Sequence, residues 1–277
     1  MKLSPMMQQY MEMKEEYSDC ILFFRLGDFY EMFFDDAKTA SKELELTLTG
    51  KNCGLAERAP MCGVPFHAVD SYISKLVERG YKVAVCEQTE DPATAKGIVK
   101  REVLRIVTPG TITSGEMLNE RENNYLASLY LAKDHFGFSY CDISTGEMNV
   151  TEFPEEAGKL ALLNELVRIK ASEIIVNEDF IDHIKKEELE ASCDARINIL
   201  PVRYYSEGET AEAIFRQFGT KSLAGIGLKE NSAAAFSLGA LVSYLLETQK
   251  QTMGHIKSFG IYQIGSRMVL DKSTIKN

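Results

Sequence analysis

Short runs rich in β-branched and aromatic residues, each followed by a stretch of helical period, constrain this chain most. CILFFRL (20–26), YKVAVCEQ (81–88) and EVLRIVTPG (102–110) have strand length, and the first is apolar enough for a strand buried on both faces. MMQQYMEMKEEY near the start and AVDSYISKLVERG (68–80) repeat apolar residues at helical spacing, with Gly80 as a helix stop. From Tyr30 the pattern changes to a helix that places Met32, Phe33 and Ala37 on one face. LELTLT (44–49) alternates like a strand and runs into the turn GKNCG. Strand and helix in alternation predict an α/β domain with a mixed sheet over residues 1–110.

The polar, Pro- and Gly-bearing stretch TPGTITSGEMLNERENN (108–124) breaks that alternation, and a linker is expected over 111–124. YLASLYLA (125–132), FGFSYCDIS (136–144) and GEMNVTEF (146–153) then follow at hairpin spacing. A helix (155–170), a strand EIIVN (173–177), a helix (179–190) and a strand RINIL (196–200) complete a second α/β domain over 125–230 that opens with an antiparallel meander. The apolar helix SAAAFSLGALVSYLLETQK (232–250) is expected to begin a third domain spanning 231–277, whose tail stops in an unfinished strand and turn. With 277 residues, 45% hydrophobic and 26% charged, the chain has material for two folded cores.

A formal charge of −10 argues against broad attraction to nucleic acid or anionic lipid, although a local basic surface remains open. The acidity lies mostly after residue 110: the first 110 residues carry 14 basic and 17 acidic side chains, the remainder 17 and 24. Six scattered cysteines without a C-x-x-C pair suit reduced thiols. With no long apolar span and no signal-peptide core, the expected location is the cytosol. TGKN (49–52) and GTKS (219–222) are not triphosphate-binding loops, the four histidines lack metal-ligand spacing, and no G-x-S-x-G is present.

FFRLGDFYEMFFDDA (23–37) is too aromatic for a loop and too acidic for a plain core strand. The ordinary role of Phe29 would be a core aromatic, and that of Glu31 a first-turn helix acid. Against this, Gly27–Asp28 is a turn pair able to throw a side chain outward. An extended backbone would also aim residues 29 and 31 the same way. An exposed ring beside a carboxylate suits a flat, hydrogen-bonding target such as a nucleobase.

FRLGDFYEMFFDDAKTAS, APMCGVPFHAVDSYISKLVERGYKVAVCEQTEDPATAKG and VLRIVTPGT resemble the N-terminal mismatch-recognition domain of the MutS family of DNA mismatch repair proteins, nearly without a gap from Met6 to Gly110. The resemblance continues more weakly through the family's ribonuclease-H-like connector domain, and YQIGSRMVLDKSTIKN is similar to the entry into its lever domain. It implies a piece of roughly the first third of a longer protein, monomeric and weak on DNA alone. ATP and Mg, the homodimer contacts and the DNA clamp would belong to the part not present.

The resemblance assigns Phe29 as a wedge and Glu31 as the base-contacting carboxylate of an F-x-E motif, acting on duplex DNA with mismatches or small loops. A wedge in the minor groove must unstack a base step and kink the duplex, which costs less where a base is already mispaired. Glu31 would accept from an imino N–H or, protonated, donate to a purine, and would penalise a matched duplex that cannot bend to satisfy it. MCGVPFH (61–67) is similar to the loop beside the family's wedge, so Met61, Gly63, Pro65 and His67 are expected to support it or touch DNA; a packed turn is the equally ordinary role. Lys51 is a candidate phosphate contact, and KGIVKREVLR (96–105), net +3, either steers DNA or is a solvated strand edge.

In the second domain, Asp142 opens D-x-S-x-G and resembles the metal-binding acid of ribonuclease-H-like nucleases. Glu147, Glu178 and Asp179 are the further carboxylates such a site would need. The family's connector has this fold without nuclease activity and docks MutL, so the alternatives to mismatch recognition are a metal-dependent nuclease centred on Asp142 and a pure protein-docking module.

Overall fold

Residues 3–90, 97–112, 123–250 and 253–263 are described by the computed structural model of the chain. The chain divides into two compact units, with the main break between Thr108 and Pro109. Both are α/β, as expected.

The first unit is a six-stranded mixed sheet. Its strands are β1 (Cys20–Leu26), β2 (Phe29–Phe33), β3 (Thr49–Lys51), β4 (Ala59–Pro65), β5 (Lys82–Gln88) and β6 (Arg101–Val107), in the spatial order β3-β4-β2-β1-β5-β6. Only the β1–β5 pair is parallel. Helices α1 (Pro5–Glu16), α2 (Phe34–Glu43) and α3 (Val69–Glu78) accompany it. Helix does not begin at Tyr30, as the periodicity suggests, but at Phe34, where φ turns to +53°. Residues 29–33 pair with β1 on one side and β4 on the other, and two ladders of hydrogen bonds outweigh a helical pattern only a few residues long. Gly27–Asp28 therefore closes a hairpin, Gly27 sitting at φ +58°. Of the strand expected over 44–49 only Thr49 is extended in the sheet, and β3 takes in Gly50 and Lys51 of the expected turn, while MCGVP, read as loop, is most of β4; Pro60, Gly63 and Pro65 mask its strand character.

Under α1, Tyr10 meets Phe24 and Phe33 edge-on at 5.5 and 4.9 Å. Buried Asp36 ties three elements together: it accepts from the Leu22 N–H at 2.9 Å and the Tyr10 hydroxyl at 3.2 Å, and pairs with Lys14 at 2.9 Å. A buried carboxylate is tolerable only when donors fill it in this way.

The second unit opens with the antiparallel meander β7 (Tyr125–Ala132), β8 (His135–Asp142) and β9 (Glu147–Pro154). It continues with β10 (Glu173–Asn177) and β11 (Arg196–Leu200), and a short β12 (Gly260–Ile261) lies along β9. The order is β11-β10-β7-β8-β9-β12, with β10 parallel to β7 and β11 parallel to β10. Three antiparallel strands flanked by two parallel ones are the ribonuclease-H-like arrangement.

One face carries α4 (Glu155–Ile169), α5 (Glu178–His183) and α6 (Lys186–Ser192); the other carries α7 (Glu207–Phe218) and α8 (Ala233–Gln249). The single helix expected over 179–190 is interrupted at Ile184, whose backbone is extended. Helix α7 has no counterpart among the sequence expectations. The helix expected to open a third domain, α8, instead packs across β7 and β8 in this unit's core. A helix this apolar must be covered over most of its surface, and Glu247 is the one exposed residue of α8.

Pro109 and Gly110, expected to end the first domain, and Thr111, expected to open the linker, belong instead to the second unit. The Gly110 N–H donates to buried Glu173 at 2.9 Å, and the Asn124 amide to the Pro109 carbonyl at 2.9 Å. The rest of the expected linker (113–122) and the tail from 264 lie outside the described residues. All six cysteines are free thiols and five are buried; burial pushes Cys62 up to about 11 and Cys20 and Cys86 up to about 12, well away from reactive thiolate. No described helix is long and apolar enough to cross a membrane.

Candidate functional site

The hairpin β1–β2 sets the site. In register, Leu26 pairs with Phe29 and Phe24 with Glu31; on the other side of β2, Phe29 pairs with Pro65, Glu31 with Gly63 and Phe33 with Met61. Directly opposed residues share a face, so Phe29, Glu31, Met61, Gly63 and Pro65 all lie on one side of the sheet. Phe23, Phe24, Tyr30 and Phe33 are buried, whereas Phe29 is 48% exposed at the end of its strand beside the Gly27–Asp28 turn.

Glu31 is half-buried and paired with Lys51 at 2.5 Å. Gly63 leaves room for it: an added Cβ would lie 3.5 Å from Glu31 Cγ and 3.2 Å from the Tyr30 carbonyl oxygen. Met61 is partly buried, packs against the core under α1, and accepts from Thr49 Oγ1 through its carbonyl at 3.1 Å. His67 follows β4 in a single exposed turn, edge-on to Phe66 at 6.0 Å. Six of the seven residues read from the sequence for this site thus converge on three adjacent strands, and His67 stands just past them.

The opposite face of the hairpin carries a brace that the sequence reading missed. The Arg25 guanidinium lies 4.3 Å from the Phe66 ring centroid and 5.3 Å from that of Tyr30, and 3.6 Å from Glu87. It also donates through Nε to the Gly27 carbonyl at 2.5 Å, and the Tyr30 hydroxyl donates to Glu87. Burial, followed by that bond, pushes the Tyr30 phenol far above its ordinary range, so it stays a neutral donor. The Phe66 N–H bonds the Asp28 carbonyl at 2.9 Å. Together these hold the turn from behind, which gives Phe29 a rigid mounting. The one available signal was the alternation itself: Arg25 and Tyr30 oppose one another on the face away from Phe29.

The basic stretch 96–105 is largely internal to its own unit. Arg101 is buried, bonding the Arg25 and Val99 carbonyls at 2.8 and 2.9 Å and stacking on Phe24. Lys100 pairs with Glu102 and Arg105 with Asp70, while Lys96 lies outside the described residues.

Asp142 is 1% exposed and already filled. Its Oδ1 accepts from the Ser144 N–H at 2.8 Å, the Ser144 hydroxyl at 2.6 Å and the Thr145 N–H at 3.4 Å, and its Oδ2 from the Asn124 N–H at 3.2 Å. This is a side chain knitting the β8–β9 turn. Glu147 bonds Tyr125 and Asn149, Glu178 and Asp179 open α5, and no group of three or more potential ligands converges among the described residues. Asp142→Ala is expected to cost about 2 kcal/mol, the desolvation of its orphaned donors, read as a lower unfolding midpoint. An unchanged midpoint would mean the turn holds without it. Nor do the two Gly–Lys pairs fit a nucleotide: Lys51 ends β3 on Glu31, and GTKS caps a turn through Thr220 and Ser222.

The sequence model of MutS domain I matches residues 4–116, and that of MutS domain II residues 124–257. Curated relatives called DNA mismatch repair protein MutS include one from Halothermothrix orenii, 50% identical over all of this chain, and one from Acetivibrio thermocellus, 49% identical over 99% of it. A third, from Clostridioides difficile, is 49% identical over the whole chain. The chain spans 31% of the Acetivibrio, 30% of the Halothermothrix and 28% of the Clostridioides relative.

Proposed function

Because this chain belongs to the MutS family, we propose that its first unit recognises mispaired or unpaired bases in duplex DNA to begin mismatch repair. One observation carries the reading: Phe29 alone among the aromatics of β1 and β2 is offered to solvent, on a braced hairpin, with a carboxylate one pleat away. An aromatic normally gains about 1.5–3 kcal/mol by burial, so a rigid hairpin that leaves one exposed beside four buried ones supports a role outside the domain.

In this reading Phe29 enters the minor groove and wedges a base step open, and the duplex kinks. Stacking lost at a mispair has already lowered the cost of that step, so selection works through deformability and accepts many different mispairs. Glu31 then hydrogen-bonds the displaced base. Gly63 keeps β4 flat beside it, and Met61, Pro65 and the His67 turn shape the surface the backbone passes. The chain acts by binding. ATP and Mg, and the homodimer contacts, belong to the portion of the relatives outside the matched segment. The acidic second unit is the surface for MutL, and the setting is the cytosol.

The test uses a full-length MutS relative in which this chain replaces the matching segment. Binding to a G·T duplex and to its matched counterpart is compared at one salt concentration. A preference for G·T is expected; equal affinity for the two would end this reading.

A further inference from the structure

Lys51 closes an edge strand, and Glu31 stands in the middle of β2 with β4 between them. The ammonium nevertheless reaches the carboxylate at 2.5 Å across β4, where the residue opposite Glu31 is Gly63 and carries no side chain. The pair is only partly withdrawn from water: the Lys51 side chain keeps 32% of its exposure and that of Glu31 16%. The cation also lies 5.8 Å from the Phe33 ring centroid, a second hold on its position. The surface beside Phe29 therefore offers DNA a carboxylate and a cation that are bound to each other.

We propose that Glu31 discriminates against matched duplex by withholding Lys51 from the DNA backbone. The pair stays closed on matched DNA and is exchanged at a mispair, where the carboxylate turns to the displaced base and the ammonium passes to a phosphate. This rests on the mismatch reading of Phe29 and Glu31. On matched duplex no base edge is free for Glu31, and opening the pair would strand a half-buried carboxylate among phosphates. At a mispair both partners find new ones, and the number of charged contacts is conserved. Lys51 thereby determines specificity while touching no base.

The exchange has a signature in salt dependence, since each phosphate neutralised adds about 0.9 to the slope of log K against log salt. Binding of matched and G·T duplexes is measured in the same full-length relative for wild type, Glu31→Gln, Lys51→Met and the double variant. The wild-type slope should be steeper on G·T than on matched DNA by about 0.9. Glu31→Gln frees the ammonium, so matched-duplex affinity should rise about three- to tenfold, with a slope steeper by about the same increment; adding Lys51→Met should cancel both. Lys51→Arg, which keeps the cation, should keep the wild-type difference, and Lys51→Gln repeats the cycle if methionine disturbs the edge strand.

A G·T preference that persists while the two substitutions act additively, or while the wild-type slopes agree, overturns the exchange alone. Absence of any G·T preference in wild type overturns the mismatch reading and the exchange with it.

Discussion

Phe29→Ala is expected to remove most of the preference for a G·T duplex over a matched one, by about ten- to a hundredfold, while leaving the fold intact. The size follows from the value of aromatic stacking on a base, about 1–3 kcal/mol by alanine substitution. The tolerance follows from its position: Phe29 ends a strand, is 48% exposed, and lies outside the core formed by Phe24, Phe33 and Tyr10. Truncating it should therefore move stability by no more than about 1 kcal/mol. Competition binding at fixed salt and a thermal melt of the same protein separate the two effects. If discrimination survives in a folded variant, Phe29 is not the wedge. If discrimination and folding fall together, the ring supports the hairpin instead.

The largest expected loss of stability lies in the second unit, at Gly137→Ala. Gly137 sits mid-strand in β8, paired with Tyr130 and Glu152. A Cβ there would come within 2.0 Å of the Ala233 carbonyl oxygen and 2.3 Å of its carbon, the backbone at the start of α8. That helix end cannot shift cheaply. Ser232 caps it by accepting from the Ala235 N–H at 3.2 Å, and Glu152 accepts from the Ala234 N–H at 3.2 Å. Overpacking together with a disturbed cap should cost about 3 kcal/mol or more. Gly208→Ala, where an added Cβ meets nothing within 4 Å, is the matched control and should be neutral or slightly stabilising. Denaturant unfolding and hydrogen exchange of the β7–β9 amides read both. Equal midpoints for the two variants would mean α8 does not rest on β8.

Much of the architecture was legible because local pattern and tertiary role agree. The meander β7–β9 lies within two residues of its sequence limits, since each strand alternates or runs apolar between unambiguous turns. The errors fall where the two disagree. Tyr30–Phe33 has a helical rhythm but is claimed by two neighbouring strands, and β4 carries two prolines and a glycine yet is held by β2 and β3. For α8 the apolar character was read correctly, but its destination was not. A helix this apolar says that something covers most of it without saying what.

The recognition residues divide in the same way. The sequence offers Phe29 and Glu31 as a pair aimed the same way on extended backbone and also a helical rhythm from Tyr30, and the ladders with β1 and β4 select the first. That Phe29 is exposed while Phe23, Phe24 and Phe33 are not, that Lys51 crosses a strand to hold Glu31, and that Arg25, Tyr30, Glu87 and Phe66 brace the turn from behind were decided only by tertiary structure. Those facts depend on which strands become neighbours and in what register. Pairing between residues tens of positions apart is fixed by the packing of the whole sheet, and no local stretch of sequence contains it.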